Sequence, residues 1–356
     1  MLYLYQRLIK EVSSLPSEKQ YLERKENIAT ILEHLRSNGA KSRRELSAEL
    51  GLSWGCVSEL VSILLLQNIL LEEEAREAKT KGRIPTVLSL NPNIFFLGVD
   101  VNIIGLKGCV CRLTGEKTEE FSDKLNCNSK EEFMASICSF VNGIIDKYKI
   151  SGIGFAMQGI FDAENNLWKL PTKSNISINF ASELEGKFNL PIMVEHDPNC
   201  ILYGCIEKNE GSKMIVRVDR GIGAAIYKNN VFWKNELLEI GYMVVNEKGE
   251  RLYEVASLQG VTEEMKKSEN RGLLEEYFSR AGKYLGIGLG NICNLISINE
   301  IYLCGDMVEY YELFSQKMEE SFKATALSAD KTKITAVRVT DAAFGAAKMA
   351  IEKFQY

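Results

Sequence analysis

The residues LPIMVEHDPNCILYGC, Leu190 to Cys205, decide how the rest of the chain is read. Ile192 and Val194 alternate as in a buried strand. Asp197-Pro198 then stands where a helix starts, because an aspartate accepts unpaired N–H groups at the N-cap and proline has the φ of the first helical position. An acidic side chain is therefore placed at the carboxyl end of a strand, the edge at which small ligands bind in open α/β sheets. For Asp197 the local sequence leaves two readings open, a plain helix cap or a contact to a polar ligand.

Outward from this stretch the texture repeats. FFLGVDVNIIGLKGCVCRL (residues 95–113) is apolar with recurrent glycine and β-branched residues, and reads as two strands of a hairpin. A helix is expected over about Lys130–Tyr148 and a strand over Ile153–Met157. MIVRVDRGIGAAI (residues 214–226) gives strand, glycine-rich turn and strand again. Gly272–Leu295 has the period of a long amphipathic helix through Leu274, Tyr277, Phe278, Ala281, Leu285 and Leu289, with Gly286, Gly288 and Gly290 permitting close packing. The strand Glu300–Cys304 and a small-residue helix over Asp341–Phe354 follow. Strands alternating with helices define an α/β body. The two similar hairpins, near residues 98 and 215, predict a duplicated, two-lobed fold with a cleft.

The first ninety residues differ. A helix is expected over about Glu18–Asn38, with Ile28, Ile31, Leu32 and Leu35 on one face and Asn38-Gly39 as its stop. Ser42 and Glu45 have the spacing of a capping box, which opens a short helix through Leu50. After the turn at Gly51-Leu52, Ser53 caps a second helix, Trp54 to about Gln67, that buries Val57, Leu60, Val61 and Leu64. Two short helices joined in this way make a helix-turn-helix. Its second helix would enter the major groove with Ser53, Trp54, Gly55, Cys56, Ser58 and Glu59, although the Trp54 indole also suits packing on the scaffold. Two short strands, Ile69–Glu72 and Pro85–Leu90, flank a hairpin carrying Lys79, Lys81 and Arg83, the pattern of a wing. With Lys41, Arg43 and Arg44 these are candidate phosphate contacts, which position a protein on DNA without reading sequence. The competing reading is a three-helix domain with a solvated charged hairpin.

Composition bounds the rest. A chain of 356 residues, 46% hydrophobic and 26% charged, has the make-up of a soluble globular protein of two or three domains. Nine scattered cysteines, an odd number, suit free thiols in a reducing cytoplasm better than a disulfide framework. Arg7, Lys10 and Glu11 interrupt the apolar N-terminus, so a signal peptide is not expected, and no apolar run reaches the ~18 residues of a membrane span. The net charge of −5 is uneven: residues 1–91 hold 13 Lys and Arg against 12 Asp and Glu, the remainder 30 against 36. For nucleic-acid binding, local clusters of charge matter more than the total.

A winged helix-turn-helix followed by GVDV (98–101), GIGFAMQGIFD (152–162), LPIMVEHDPN (190–199), RGIGAAI (220–226), LEIGYM (238–243) and IYLCGDM (301–307) resembles the ROK family, named for its repressors, open reading frames and kinases. GRIP (82–85) resembles the wing end of its repressor members. The likeness covers nearly the whole chain. It implies an actin-like, hexokinase-type two-lobed α/β body with a sugar cleft, in a protein that either phosphorylates a sugar or represses transcription.

Three places separate those outcomes. The first phosphate turn of a family kinase follows a strand Asp with small residues, because phosphate needs backbone N–H groups brought close. Here Asp100 is followed by Val101, Asn102, Ile103 and Ile104, whose side chains should close the cradle. The second turn resembles Gly-Thr-Gly-Ile-Gly but reads Asp219-Arg220-Gly221-Ile222-Gly223, and the aspartate would repel phosphate, with Arg220 either partly offsetting it or simply pairing with Asp219. The family's zinc loop takes one His and three Cys. Tyr242 stands at the His position and no cysteine follows through Ser257, so neither a metal nor a cofactor is expected. The resemblance places Asn175, Asp197 and Glu239 on hydroxyl-binding positions, with His196 in place of an Asn and the second sugar-binding glutamate on Tyr253 or, one residue on, Glu254. Turn or surface duty is the alternative for Asn175 and Glu239.

The expectation is thus a DNA-binding domain over residues 1–91 and an effector-binding and dimerisation domain over 92–356. The partners would be double-stranded DNA, a sugar or related effector, and a second copy of the chain as a homodimer. The alternatives are a hexose kinase with Asp197 as base, and a constitutive regulator with a vestigial pocket.

Overall fold

The structure is a computed structural model that describes residues 18–74, 86–162, 164–170, 176–205, 211–229, 231–233, 238–267, 274–338 and 340–354. The described residues fall into two compact units, one drawn from Met1–Phe95, Arg112–Glu116 and Phe354–Tyr356, the other from Phe96–Cys111 and Lys117–Lys353.

The first unit is built on local capping. Helix α1 (Glu18–Asn38) stops before Gly39, whose φ of 73° is left-handed. Helix α2 (Arg43–Leu50) opens on a complete capping box: Ser42 Oγ accepts the Glu45 N–H and the Glu45 carboxylate accepts the Ser42 N–H. Gly51, at φ 67°, turns the chain into α3 (Trp54–Leu66), capped by Ser53 through the Cys56 N–H. Ile28, Ile31, Leu32, Leu35, Leu46, Val57, Leu60, Val61 and Leu64 are all buried. Strands β1 (Leu70–Glu74) and β2 (Thr86–Leu90) pair antiparallel, Leu70 opposite Leu90, and Lys41 adds a backbone bridge to Leu88. This is a winged helix-turn-helix. The tip of the wing, with Lys79, Lys81 and Arg83, lies outside the described residues.

The second unit contains the predicted duplication. In the first lobe β3 (Phe95–Asn102), β4 (Gly105–Arg112) and β5 (Lys117–Asp123) form a meander, helix α4 (Lys130–Ile145) crosses over, and β6 (Ile150–Met157) lies beside β3. A small sheet of β7 (Ile160–Asp162), β8 (Leu167–Lys169) and β9 (Ser177–Ile178) follows, then α5 (Phe180–Phe188) and β10 (Ile192–His196), giving the order β10-β6-β3-β4-β5. Helix α6 (Asp197–Cys205) leads into the second lobe. There β11 (Lys213–Val218), β12 (Ile222–Lys228) and β13 (Val231–Phe232) form the meander, and α7 (Leu252–Ala256), α8 (Leu258–Lys267) and α9 (Leu274–Leu295) intervene. Next come β14 (Glu300–Cys304), α10 (Tyr311–Thr325), β15 (Lys333–Ala336) and α11 (Ala342–Lys353), and the sheet order is β13-β12-β11-β14-β15. Each sheet thus has its first strand at the centre, an antiparallel meander on one side and two parallel strands on the other.

Helix α6 packs on β6 and β10 of the first sheet, on β11 and β12 of the second, and on α11. It is buried from Asp197 to Tyr203. The approach of α11 is possible because glycines stand on both sides of its contacts: a Cβ at Gly345 in α11 would lie 1.7 Å from the Cys200 carbonyl oxygen, and one at Gly98 in β3 1.8 Å from that of Ala343. In α9 the close packing is arranged differently from the sequence expectation. Gly282, Gly286 and Gly290, four apart, form the stripe against α10, whereas Gly288 faces Leu252. The helix expected to reach Tyr148 ends at Ile145, where Lys147 and Tyr148 both donate to the Ile144 carbonyl. All nine cysteines are free, and among the described residues no helix is long and apolar enough to cross a membrane.

Candidate functional site

Two regions bear on function. On the winged unit, Ser53, Trp54 and Gly55 are exposed at the start of α3, while Cys56 and Ser58 are half-buried. Trp54 is 56% exposed, so more than half of it is presented to solvent. The basic residues differ in their freedom. Lys41 is 2.9 Å from Glu49, and Arg43 is ion-paired with Glu72. Arg44 is exposed and has no ion-pair partner among the described residues.

In the second unit, the carboxyl ends of the central strands border a cavity of about 430 Å³. His196, Asp197 and Glu239 line it together, with Gln158, Arg217, Asp219, Tyr242 and Tyr253. Sequence separates these residues by as much as 95 positions; the repeated topology brings them to one cleft. Asn175 lies outside the described residues. Glu254 is outside this cavity. It sits at the third position of α7 and accepts the Arg251 N–H at 2.7 Å, so the one-residue phase of that short helix turns Tyr253 into the cleft and Glu254 away. The Tyr242 and Tyr253 rings are 5.3 Å apart and the Arg251 guanidinium covers Tyr242 at 5.0 Å. A zinc loop does not fit here: a tyrosine occupies the histidine position, and no cysteine occurs between Cys205 and Cys293.

The residue that dominates the cleft is one the sequence reading passed over. Arg217, in the buried strand MIVRVD, bridges two carboxylates: it donates from Nη1 to Asp197 Oδ2 and from Nε to Asp219 Oδ2 at 2.6 Å. Burial alone would lower its pKa, but Asp197, Asp219 and Asp100 hold its charge firmly and raise it. Asp197 is 4% exposed, and its other oxygen lies 3.6 Å from His196 Nε2. Its carboxylate is therefore directed at Arg217 and His196. The only signal for Arg217 in the sequence was a charged residue at an otherwise apolar strand position.

Both phosphate turns are filled from within. In the β3–β4 turn the Ile103 N–H donates to Gln158 Oε1 at 3.2 Å and the Ile104 N–H to Asn102 Oδ1 at 3.0 Å. Side-chain oxygens thus take the donors a phosphate would need. Ile104 points outward, 70% exposed, so hydrogen bonding closes the turn and the bulk of that side chain does not. In the β11–β12 turn, Asp219 Oδ1 accepts the Asp306 N–H at 2.6 Å and its other oxygen holds Arg217. The expected offset by Arg220 is absent from this arrangement: Arg220 is exposed, and Arg217 supplies the counter-charge. Asp100, buried behind the turn, has Oδ1 without a hydrogen-bond partner among the described residues, and burial pushes its pKa up to about 7. Burial also raises that of Glu239, against the pull of His196. The site offers carboxylates, an imidazole, an amide and two phenols to a polyhydroxy ligand. It offers no open cradle for a nucleotide.

A two-lobed sugar-kinase-type body with filled phosphate turns, joined to a winged helix-turn-helix, defines the class. The chain belongs to the ROK family, whose model matches residues 96–353. It is similar to the xylose repressor of Bacillus spizizenii, with 25% identity over 325 residues covering 82% of this chain and 84% of that protein. Among solved structures, a ROK family transcriptional regulator, homolog of the E. coli MLC protein, superimposes with a TM-score of 0.78 at 17% identity, covering 92% of this chain and 96% of the other. A ROK family glucokinase from Streptomyces griseus, in complex with glucose and AMPPNP, covers 72% of this chain and 99% of its own, with a TM-score of 0.59 at 16% identity.

Proposed function

We propose that the protein is a DNA-binding transcriptional regulator, a repressor of carbohydrate-metabolism genes whose DNA-competent state is set by a sugar or related metabolite in the cleft. It is not an enzyme. The observation that carries this reading is the Asp197–Arg217–Asp219 bridge. A kinase must leave its second turn open to the nucleotide phosphates, and here Asp219 fills that turn, accepting the Asp306 N–H and holding Arg217 against Asp197. The sugar side of the cleft keeps its polar groups. The similarity to a xylose repressor supports the same direction.

In this reading residues 1–91 bind DNA and residues 92–356 bind the effector and pair two chains in the cytoplasm, so that two recognition helices meet a two-fold operator. Ser53, Trp54, Gly55, Cys56 and Ser58 face base edges. Lys41, Arg43, Arg44, Lys79, Lys81 and Arg83 hold phosphates, Lys41 and Arg43 exchanging Glu49 and Glu72 for DNA. The effector shifts the population only by its differential affinity for the two states.

The test is capture of genomic DNA fragments by the purified protein, with and without a panel of sugars, alongside ATP turnover on the same sugars. Discrete fragments released by one sugar, with no phosphorylation, are expected. Sugar-dependent ATP turnover would overturn the reading.

A further inference from the structure

Beside the cleft cavity lies a second cavity of about 820 Å³, which shares Ile160, Lys169 and His196 with it. We infer that the effector is larger than one sugar ring: a disaccharide or related glycoside whose first ring meets Asp197 and Glu239 and whose second ring lies in this adjoining cavity. The inference rests on the sugar-binding reading of the cleft and adds the ligand's size class to it.

Size is the first support. The cleft cavity alone falls in the range of ~300–1,000 Å³ that encloses small ligands, and its neighbour is nearly twice as large. One ring leaves most of the joined space to water. Chemistry is the second. A row of rings runs from the second cavity to the shared wall: Phe161 and Trp168 have centroids 5.1 Å apart, and Trp168 and His196 6.1 Å. Around it stand polar side chains, Asn179, Asn199 and Glu195 among them, with Asn199 Nδ2 donating to Glu195 Oε1 at 2.9 Å. Carbohydrates present apolar C–H faces and hydroxyl edges, so a site that joins rings to amides and carboxylates suits them.

The third support is the wall itself. The β7–β8 hairpin borders both cavities through Ile160 and Lys169, and Lys169 Nζ is held at 2.7 Å by Asp162 Oδ2. Its start is fixed by Gly159, at φ 123°, where a Cβ would meet the Lys169 carbonyl oxygen at 2.5 Å. One hairpin therefore borders both ring positions.

Calorimetric titration of the full-length protein with glucose and xylose, and with maltose, cellobiose and xylobiose, tests this. At least one disaccharide is expected to bind tenfold or more tightly than its constituent ring and to change the fluorescence of Trp168, isolated by Trp54→Phe and Trp233→Phe. Phe161→Ala should bring the disaccharide down to the affinity of the single ring, and Phe161→Tyr, which keeps the ring, should retain the gain. Monosaccharide binding with no gain from a second ring would overturn the inference and leave the sugar reading standing. An equal loss of both ligands in Phe161→Ala would also overturn it. Failure of every sugar to bind would overturn the sugar reading together with the inference.

Discussion

The turns that open the two lobes occupy equivalent places in a repeated topology, yet they are filled by unlike means. In the first, the donors of Ile103 and Ile104 are taken by neutral amide oxygens of Gln158 and Asn102. In the second, a carboxylate does the work: Asp219 accepts the Asp306 N–H and pairs with Arg217, which is paired in turn with Asp197. The comparison teaches that a turn can be filled in two ways, by a neutral acceptor or by a charged one. The second couples the filled turn to the cleft, because Arg217 joins Asp219 to Asp197.

The difference predicts a graded response to mutation. Arg217→Ala should have the largest effect, a loss of about 3–5 kcal/mol in denaturant unfolding, because the buried carboxylate of Asp197 and the half-buried one of Asp219 are left without their counter-charge. A loss below ~1 kcal/mol would mean the bridge is dispensable. Next is Asp100. Its pKa of about 7 in the fold exceeds that of an unfolded aspartate. The folded state therefore binds the proton more tightly, and this group favours folding below the unfolded pKa and loses that contribution as pH rises from about 4 to 7. Asp100→Asn should stabilise the protein at pH 8 by ~2 kcal/mol, change little at pH 4, and flatten melting temperature against pH.

Opening the neutral turn should cost less. Gln158→Ala frees the Ile103 N–H and should lower stability by about 1 kcal/mol. Neither it nor glycine at 103 and 104 should produce ATP-dependent stabilisation while Asp219 remains; a clear shift with ATP would show that the first turn alone controls nucleotide binding. The smallest effect falls on the winged unit. Arg44→Ala should reduce the salt slope of binding to duplex DNA by about 0.9. Arg43→Ala should reduce it less, since Arg43 must first leave Glu72. Equal slopes for wild type and the Arg43→Ala/Arg44→Ala pair would remove both from the phosphate contacts.

The parts legible in the sequence were those set by neighbours a few residues apart. The capping box at Ser42 and Glu45, the left-handed Gly51 and the Ser53 cap each act within one turn, and the helices begin and end where those residues place them. The duplicated hairpins were legible because strand, turn and strand are contiguous. The cleft was only half legible. Asp219 was recognised as hostile to phosphate, but its counter-ion was sought in adjacent Arg220, whereas strand alternation turns Arg217 to the same side. Bulk at Ile103 and Ile104 was expected to close the first turn; the acceptor from Gln158, 55 residues on, has no local signature. Tyr253 and Glu254 differ only by the phase of a five-residue helix, which periodicity cannot fix over so short a span.

The approach of α11 to Gly98 and of Cys200 to Gly345 bears on how the body is assembled. The first-lobe strands β3 and β6 and the linking helix α6 rest on a helix encoded roughly 140 to 245 residues later, and closure over such separations slows folding. During synthesis that sheet emerges with an uncovered apolar face, whereas the three described helices of the winged unit lie within the first seventy residues. A ribosome-bound chain would therefore carry a finished winged unit ahead of an unfinished body. A chain cut before Ala342 would keep the helices of the winged unit and expose the face that α11 covers, so such fragments should aggregate through the body while those helices remain folded.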